Sequence, residues 1–505
     1  IHLARWLSVL MGALAVLFTY LLALEIFNHA VIASEAKQSP IRDSGIASDE
    51  DRPRNDSRVK FLAASAGAVV AFVPQFLFVS SAVSNDSTIV ATSAFVLWLI
   101  LRLLDDRRQP TTDDGRRSAV ILGVACGLAA LAKVSGLGLG ALAVLVFVWQ
   151  FLRQPAIENR KPRILSRVLL FTFAFLLVAG WWYARNLILY GELTGTARMS
   201  EIFHLRAAPM PFDQLLVQLR EVWETFWVGF GWGNIRTHPL IYNVIQVFVA
   251  LGVIGWVLGI RNSKFAIQNS RFAILFLWLA LMFAALIYWM QTTQAPHGRL
   301  FFPALLALAV LLVSGLAQFQ IPNLRVGILI LGFGIFLFAL SALAPFLILQ
   351  PAYAYPQTLS ENNISQIPNR VDISYDDEIK LLGYDVSARR VLPGTAIELT
   401  LYWQSLMPMD EDYSIGIRVV DAQQHVIGTR NSYPGHGMLP TRLWYTGQII
   451  RDAYWLPINA DARDTPLAQI QIVVFERLSK RDLAARDPRG EIITPFIGQI
   501  EVAAK

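Results

Sequence analysis

"FVPQFLFVSSAVSNDSTIVATSAFVLWLILRLL", residues 72–104, holds two apolar runs separated by the polar turn "VSNDS" at 83–87. The second run carries one charge, Arg102, and approaches the ~20 apolar residues that a helix needs to cross a bilayer core. An Asn and an Asp between two such runs sit where membrane meets water. Outward from this stretch, runs of similar character fall at residues 6–27, 60–82, 87–104, 118–132, 136–152, 168–184, 240–260, 272–290, 300–318 and 326–349. They predict a polytopic α-helical membrane protein of about ten spans.

Composition agrees. The 505 residues are 55% hydrophobic and 16% charged, with a mean hydropathy of +0.47, too apolar for an ordinary soluble chain. A net charge of +6 and a pI near 9.4 do not indicate nucleic acid here, because many of the Lys and Arg residues lie in short loops between spans and report topology. A single cysteine, Cys126, excludes an intramolecular disulfide and reads as a small core residue. The opening "IHLARWLSVLMGALAVLFTYLLALEIF" is long enough to span and has no signal-peptidase site. It begins with Ile rather than Met, which reads as an incomplete start.

Basic residues are distributed unevenly. Arg107, Arg108, Arg116 and Arg117 share one loop, and Arg153, Arg160, Lys161, Arg163 and Arg167 the next but one. Arg261, Lys264 and Arg271 follow, and then Arg325. The positive-inside rule makes these loops cytoplasmic. It places "VSNDS", "KVSG", residues 181–238, "QTTQAPHGR" and both termini outside. Residues 31–57, "VIASEAKQSPIRDSGIASDEDRPRNDS", are expected to be a disordered cytoplasmic insertion and resemble the in-frame translation of a bacterial intergenic repeat element.

After Gln350 the pattern changes. Pro351, Pro356 and Pro368 mark residues 351–369 as a linker, and from about residue 370 apolar residues alternate with polar ones. Ile397, Leu399, Leu401 and Trp403 form one such run, Ile415, Ile417 and Val419 another, and Ile470, Ile472 and Val474 a third. Period-2 runs separated by turns predict a C-terminal β-sandwich over 370–505, placed outside the membrane by the topology.

Ionisable groups near membrane depth are costly, so they are functional candidates by default. Here they gather at the expected outer boundary: Asn85 and Asp86, Lys133, Arg185 and Asn186 after "WWY", and His297 with Arg299. Together they suit a phosphate headgroup, which takes point charges and bidentate guanidinium donors. Each also has a plainer role. Lys133 and Arg185 could snorkel, Trp181, Trp182 and Tyr183 could form an aromatic belt, and Asn85 and Asp86 could cap the helix beginning near Ser87. "NDS" and "NIS" match the glycosylation sequon, a pattern short enough to recur by chance. His297 has no paired His or Glu spacing nearby, so no metal ligand is assigned, although a divalent metal is compatible with the sequence. Residues 213–230, "DQLLVQLREVWETFWVGF", place Leu215, Leu216, Leu219, Val222, Trp223, Phe226 and Trp227 on one face. Gln214, Gln218, Glu221 and Glu224 lie mostly opposite, so the 200–235 region is expected to hold an interfacial amphipathic helix.

The 72–104 stretch, "GLAALAKVSGLGLGALAVLVF", "WWYARNLILYGELTG" and "HGRLFFPALLALAV", taken in order, resemble successive segments of bacterial GT-C glycosyltransferases, the superfamily of protein mannosyltransferases and lipid A aminoarabinose transferase. The resemblance covers residues 1–350. It implies a multi-pass enzyme of the bacterial cytoplasmic (inner) membrane. Such an enzyme transfers a sugar, with inversion, from a polyprenyl-phosphate carrier to a glycan, lipid or protein acceptor on the outer face. It gives Lys133, Arg185 and Arg299 a role in holding the carrier phosphate, and Asn85 and Asp86 a role in lining the sugar site. The family's general base is an acidic residue in the first external loop. The opening "HLARWLSVLMGALAVLFTYLLA" resembles the second span, so the base is expected upstream of Ile1 and no catalytic residue is assigned. On this reading the chain as given could be inactive.

Two other classes remain. A transporter or flippase of lipid-linked glycans should show midplane charges, interrupted helices and repeats, and these spans are mostly clean with no visible repeat. A non-catalytic glycan-binding membrane protein could stack sugars on Trp444, Tyr445, Tyr454 and Trp455, although aromatics in a sandwich are more often core.

Overall fold

The computed structural model describes residues 2–38, 51–104, 112–153, 161–197, 205–206, 208–231, 233–261, 270–293, 296–319, 327–459, 462–477, 479 and 481–503. They form two compact units, Ile1–Met210 with Glu221–Pro345, and Pro211–Arg220 with Phe346–Lys505.

The helices of the first part of the chain are α1 (His2–Gln38), α2 (Asp51–Ala71), α3 (Pro74–Ser81), α4 (Asp86–Leu103), α5 (Thr112–Ala132), α6 (Leu137–Arg153), α7 (Lys161–Phe175) and α8 (Trp181–Tyr190). After them come α9 (Phe212–Trp227), α10 (Pro239–Arg261), α11 (Ser270–Thr292), a 3-10 segment Gly298–Ala304, α12 (Leu305–Leu316) and α13 (Gly327–Ala344). Among the described residues nine helices are long and apolar enough to cross a membrane. α2 and α3 are long and apolar enough together to count as a tenth, and are bent by 61° at their junction. The expected straight span over 60–82 is therefore broken. Pro74 sits at the first position of α3, where its missing N–H costs nothing, and Val73 before it is extended. The carbonyl of Phe72 accepts a hydrogen bond from Ser341 Oγ on α13 at 2.8 Å. α7 runs into α8 through a π turn at Leu176–Gly180, and a second π turn, Pro345–Leu349, follows α13.

Small residues set the closest helix crossing. A Cβ on Gly255 of α10 or Gly315 of α12 would collide with a backbone carbonyl of the facing helix, and Trp256 Nε1 donates to Leu311 O across the same contact at 2.7 Å. At the expected cytoplasmic end, Arg271 Nη1 lies 3.0 Å from Glu25 Oε1 and also donates to the Glu25 carbonyl. Arg271, expected as a loop charge, is instead a buried residue joining α11 to α1. Helix backbone also enters both flanks of the expected disordered insertion, to Gln38 and from Asp51. Residues 39–50, together with Arg107, Arg108, Arg160, Lys264 and Arg325 of the basic loops, lie outside the described residues.

The C-terminal part is a β-sandwich. Its strands are β1 (Gln357–Leu359), β2 (Asn369–Tyr375), β3 (Ile379–Val386), β4 (Arg390–Val391), β5 (Ala396–Ser405), β6 (Tyr413–Val420), β7 (Val426–Ser432), β8 (Ile449–Pro457), β9 (Thr465–Glu476), β10 (Arg481–Asp482), β11 (Ala485–Arg486) and β12 (Phe496–Val502). One sheet has the order β1-β8-β5-β3-β2-β11 and the other β4-β12-β9-β6-β7, with β10 on β9. The expected linker 351–369 is partly sheet, because Gln357–Leu359 pair with β8. The alternating residues read from the sequence, from Ile397 through Val474, all face the core with Tyr375, Trp403 and Tyr454. The four aromatics considered for sugar stacking divide: Trp444 and Tyr454 are buried, whereas Tyr445 and Trp455 are exposed.

One core-facing position is a carboxylate. Asp452 stands in register with Leu401, and its Oδ2 accepts from Gly435 N at 3.0 Å and from the Tyr454 hydroxyl. Burial pushes its pKa up to about 6, against those two hydrogen bonds. A raised folded-state pKa means that this group's contribution is fully present below about pH 4 and is lost as pH rises through 6. We expect the sandwich of the wild-type protein to melt at higher temperature at pH 5 than at pH 7. Asp452→Asn, whose amide oxygen can accept the same donors, should flatten that dependence in a detergent-solubilised thermal melt. Equal pH slopes for the two proteins would refute the assignment.

Candidate functional site

Three chain segments meet around Asp86. It is the first residue of α4, with its side chain 3% exposed, and Lys133 Nζ lies 2.7 Å from its Oδ1. Lys133 is extended, in the turn between α5 and the 3-10 turn Val134–Gly136 that leads into α6. That turn is tight because Gly136 lies directly on the backbone of Ala129, where a Cβ has no room. Asn85 occupies the N-cap position of α4, yet its side chain makes no capping bond. It donates instead to Ala132 O at 2.9 Å. The capping expectation for Asn85 and Asp86 is thus replaced by two links from the start of α4 to the end of α5. Tyr183 of α8 adds a third, donating to Ala130 O at 2.9 Å.

His297 and Arg299 join the same neighbourhood from the other side of the sequence. Gly298 can stand between them because it packs against the backbone of α9 at Phe226, and its N–H donates to Thr225 Oγ1 at 2.8 Å. His297 Nδ1 accepts from the Arg299 N–H at 3.3 Å, which leaves the proton of the neutral ring on Nε2. Burial lowers the His297 pKa to about 4. Arg299 assists, Arg236 and Lys133 add to the effect, and Asp86 opposes it. The ring is therefore neutral through the physiological range, and the same balance places Asp86, Lys133, Arg236 and Arg299 within electrostatic reach of it.

Arg236 was not among the residues expected from the sequence. Its guanidinium clasps Glu224 Oε2 at 2.8 Å and Glu221 Oε1 at 2.9 Å, and its Nε donates to Gly233 O. Glu221 is pushed above the ordinary carboxylate range by burial, with Glu224 adding and Arg236 opposing. The signal available in the sequence was the pair of glutamates at i and i+3 on the polar face of the amphipathic helix. That helix is present as α9, with Val222, Phe226 and Trp227 buried, but Leu216, expected on the apolar face, is exposed. Gln75 was also missed. It is buried in α3 and its Oε1 accepts from Gly229 N at 3.1 Å.

Arg185 and Asn186 make no hydrogen bond to this group among the described residues. Arg185 is exposed, over the rings of Trp182 (5.1 Å) and Tyr190 (5.9 Å), and Asn186 is buried with its amide on Leu193 O. Among the described residues no group of three or more His, Cys, Asp or Glu could hold a metal ion.

These features define a polytopic membrane protein with a charged cluster at one end of its helices and a β-rich C-terminal domain. Residues 54–189 match the model of the dolichyl-phosphate-mannose-protein mannosyltransferase family, a GT-C family. Members of that family are membrane glycosyltransferases that draw on a polyprenyl-phosphate-linked sugar. The matched segment contains Asn85, Asp86, Lys133, Arg185 and Asn186, while His297 and Arg299 lie beyond it. No curated protein and no solved structure matches the chain.

Removing one partner of a buried ion pair leaves the other charge uncompensated, at a cost of about 3–5 kcal/mol. Lys133→Met should lower the melting temperature by several degrees, and Asp86→Asn in the same chain should restore part of the loss. A Lys133→Met protein that melts like the wild type would show the pair to be unimportant for the fold.

Proposed function

We propose that Asp86, Lys133, His297 and Arg299 line the site where a polyprenyl-phosphate-linked sugar is held on the extracytoplasmic face of a bacterial inner membrane. There the sugar passes with inversion to a glycan, lipid or protein acceptor. The reading rests on one observation, the buried Asp86–Lys133 pair at 2.7 Å at the start of α4, with the Gly298–Ala304 segment that carries Arg299 packed against the same helix. Guanidinium and ammonium groups in a half-buried place stabilise a leaving phosphate, whose charge grows as the glycosidic bond breaks. Asp86 is occupied by Lys133 and lines the sugar site rather than acting as the base. Arg185 and Asn186, on the aromatic-rich α8, make no bond to this group among the described residues and are left out of the phosphate assignment. The same outward orientation carries the β-sandwich of residues 370–505.

Sugar transfer from a polyprenyl-phosphate donor, measured in membranes bearing the full chain, tests the reading. Lys133→Ala and Arg299→Ala should each reduce transfer by about 10²–10³-fold, the size of effect seen when one charge-stabilising donor is removed, with insertion unchanged. Transfer at the wild-type rate in both variants would overturn the phosphate assignment.

Orientation has its own test. Cys126 is the one cysteine and is buried, so Gln423→Cys on the exposed β6–β7 turn should be the reactive thiol. Labelling by a membrane-impermeant maleimide in cells whose outer envelope has been opened is expected; labelling only after lysis of the inner membrane would reverse the topology.

A further inference from the structure

Arg236 fastens a loop to α9, and that loop lies on His297. Between α9 and α10 the chain makes a tight turn in which Phe230 and Ile235 exchange backbone hydrogen bonds and Gly233 N donates to Phe230 O at 3.1 Å. Its two feet are joined through one hydroxyl: Tyr242 of α10 donates to Val228 O at 2.7 Å and accepts from Thr237 N at 3.2 Å. The tip has a different anchor. The Arg236 guanidinium reaches Glu221 and Glu224 on one side of α9 and returns to the turn itself through Nε, which donates to Gly233 O at 3.0 Å. Three donors of one rigid fork thus fix Gly233 relative to the helix.

Thr225, one turn along α9 from Glu221, is the floor on which this turn and the His297 segment meet. Its Oγ1 accepts from Gly298 N at 2.8 Å, and its methyl carbon would lie 3.1 Å from a Cβ on Gly233. The same Cβ would stand 3.3 Å from His297 Nε2. Glycine is required at 233 twice over, for its left-handed backbone (φ 84°) and for that space. An oxygen accepting from an N–H sits about 2.9–3.0 Å from the nitrogen, so the gap that glycine leaves beside Nε2 is the size of such an acceptor. His297 Nδ1 is already taken by the Arg299 N–H, and among the described residues no group accepts from Nε2.

We propose that Arg236 is a positioning residue for His297: clasped by Glu221 and Glu224, it holds the Gly233 turn against the imidazole so that the Nε2–H is presented to an oxygen of the substrate. The positioning stands on the geometry alone; that the substrate is a polyprenyl-phosphate-linked sugar rests on the function proposed above. Lysine at 236 would keep the charge and lose the fork, because one ammonium does not reproduce planar donation to two carboxylates and a carbonyl. The clasp and the charge are therefore separable by substitution.

Diethyl pyrocarbonate, which acylates neutral imidazole, reads the ring directly. Mass spectrometry of the His297 peptide gives the rate of modification in the detergent-solubilised full chain between pH 5 and pH 7, with the exposed His425 of the sandwich as a control. The charged groups that act on the ring are Arg299 on its own segment, Asp86 of α4, Lys133 of the α5–α6 turn and Arg236; with burial they hold its pKa at about 4. Wild-type His297 should therefore react at nearly the same rate across this range. Arg236→Lys and Arg236→Gln should each let water reach the ring, raise its pKa toward the ordinary ~6.5 and slow modification at least tenfold between pH 7 and pH 5, with the His425 profile unchanged. Gly233→Ala, with the clasp intact, should slow modification of His297 at least tenfold throughout by covering Nε2. A Lys variant with the wild-type profile, a wild-type His297 that does not react, or full reactivity in Gly233→Ala would each overturn the proposal. No sugar donor enters this measurement, so its failure and a failure of the transfer assay above are separately visible.

Discussion

A carboxylate almost fully withdrawn from solvent at the first turn of a membrane helix cannot stand alone, and the partner that Asp86 takes fixes the end of the bundle. Lys133 reaches it only because the α5–α6 turn is tight enough, at Gly136, to bring the ammonium over the start of α4. Asn85 and Tyr183 then fasten α4 and α8 to the last carbonyls of α5. Coulomb attraction at this depth is far stronger than in water, which is why one 2.7 Å contact can set the register of helices 47 residues apart in sequence.

Around that pair the remaining charges are arranged by compensation. Arg236 is held by two glutamates of α9 and does not point freely into the site, whereas His297 is kept neutral by burial and by its cationic neighbours. The result is a patch in which Lys133 is paired with Asp86 and Arg236 with Glu221 and Glu224, beside one neutral donor. On the proposed reading, an anion entering this patch would meet cations already oriented by protein contacts and need reorganise them little.

Much of the architecture was legible because it follows from periodicity. Runs of apolar residues gave the membrane helices, and period-2 alternation gave the inward faces of β5, β6 and β9 with every named residue in the core. The bend at Pro74 was visible as a proline inside an apolar run, but the run was long enough to span without it. Site residues fared unevenly for a physical reason. Asp86, Lys133 and His297 lie at helix ends, where a charge in an apolar context stands out. Arg236, Glu221 and Glu224 lie in ordinary polar surroundings, and only three-dimensional pairing distinguishes them. Arg271 misled in the opposite sense: a basic residue beside a span reads as a topological loop charge, and its buried partner Glu25 is 246 residues away.

The 61° break between α2 and α3 has a bearing on how the chain can be recombined. The carbonyl released at Phe72 is capped by Ser341, and Gln75, one residue past Pro74, is bonded to the backbone of Gly229. The bend thus has its freed carbonyl capped by a segment more than 260 residues downstream, and Gln75 beside it accepts from a backbone N–H more than 150 residues downstream. A chimera that exchanged the first three helices with those of a relative, at a boundary chosen from span limits alone, would inherit the break without its caps. The unit of exchange in this protein is a set of contacts shared by distant segments, not a consecutive stretch of chain.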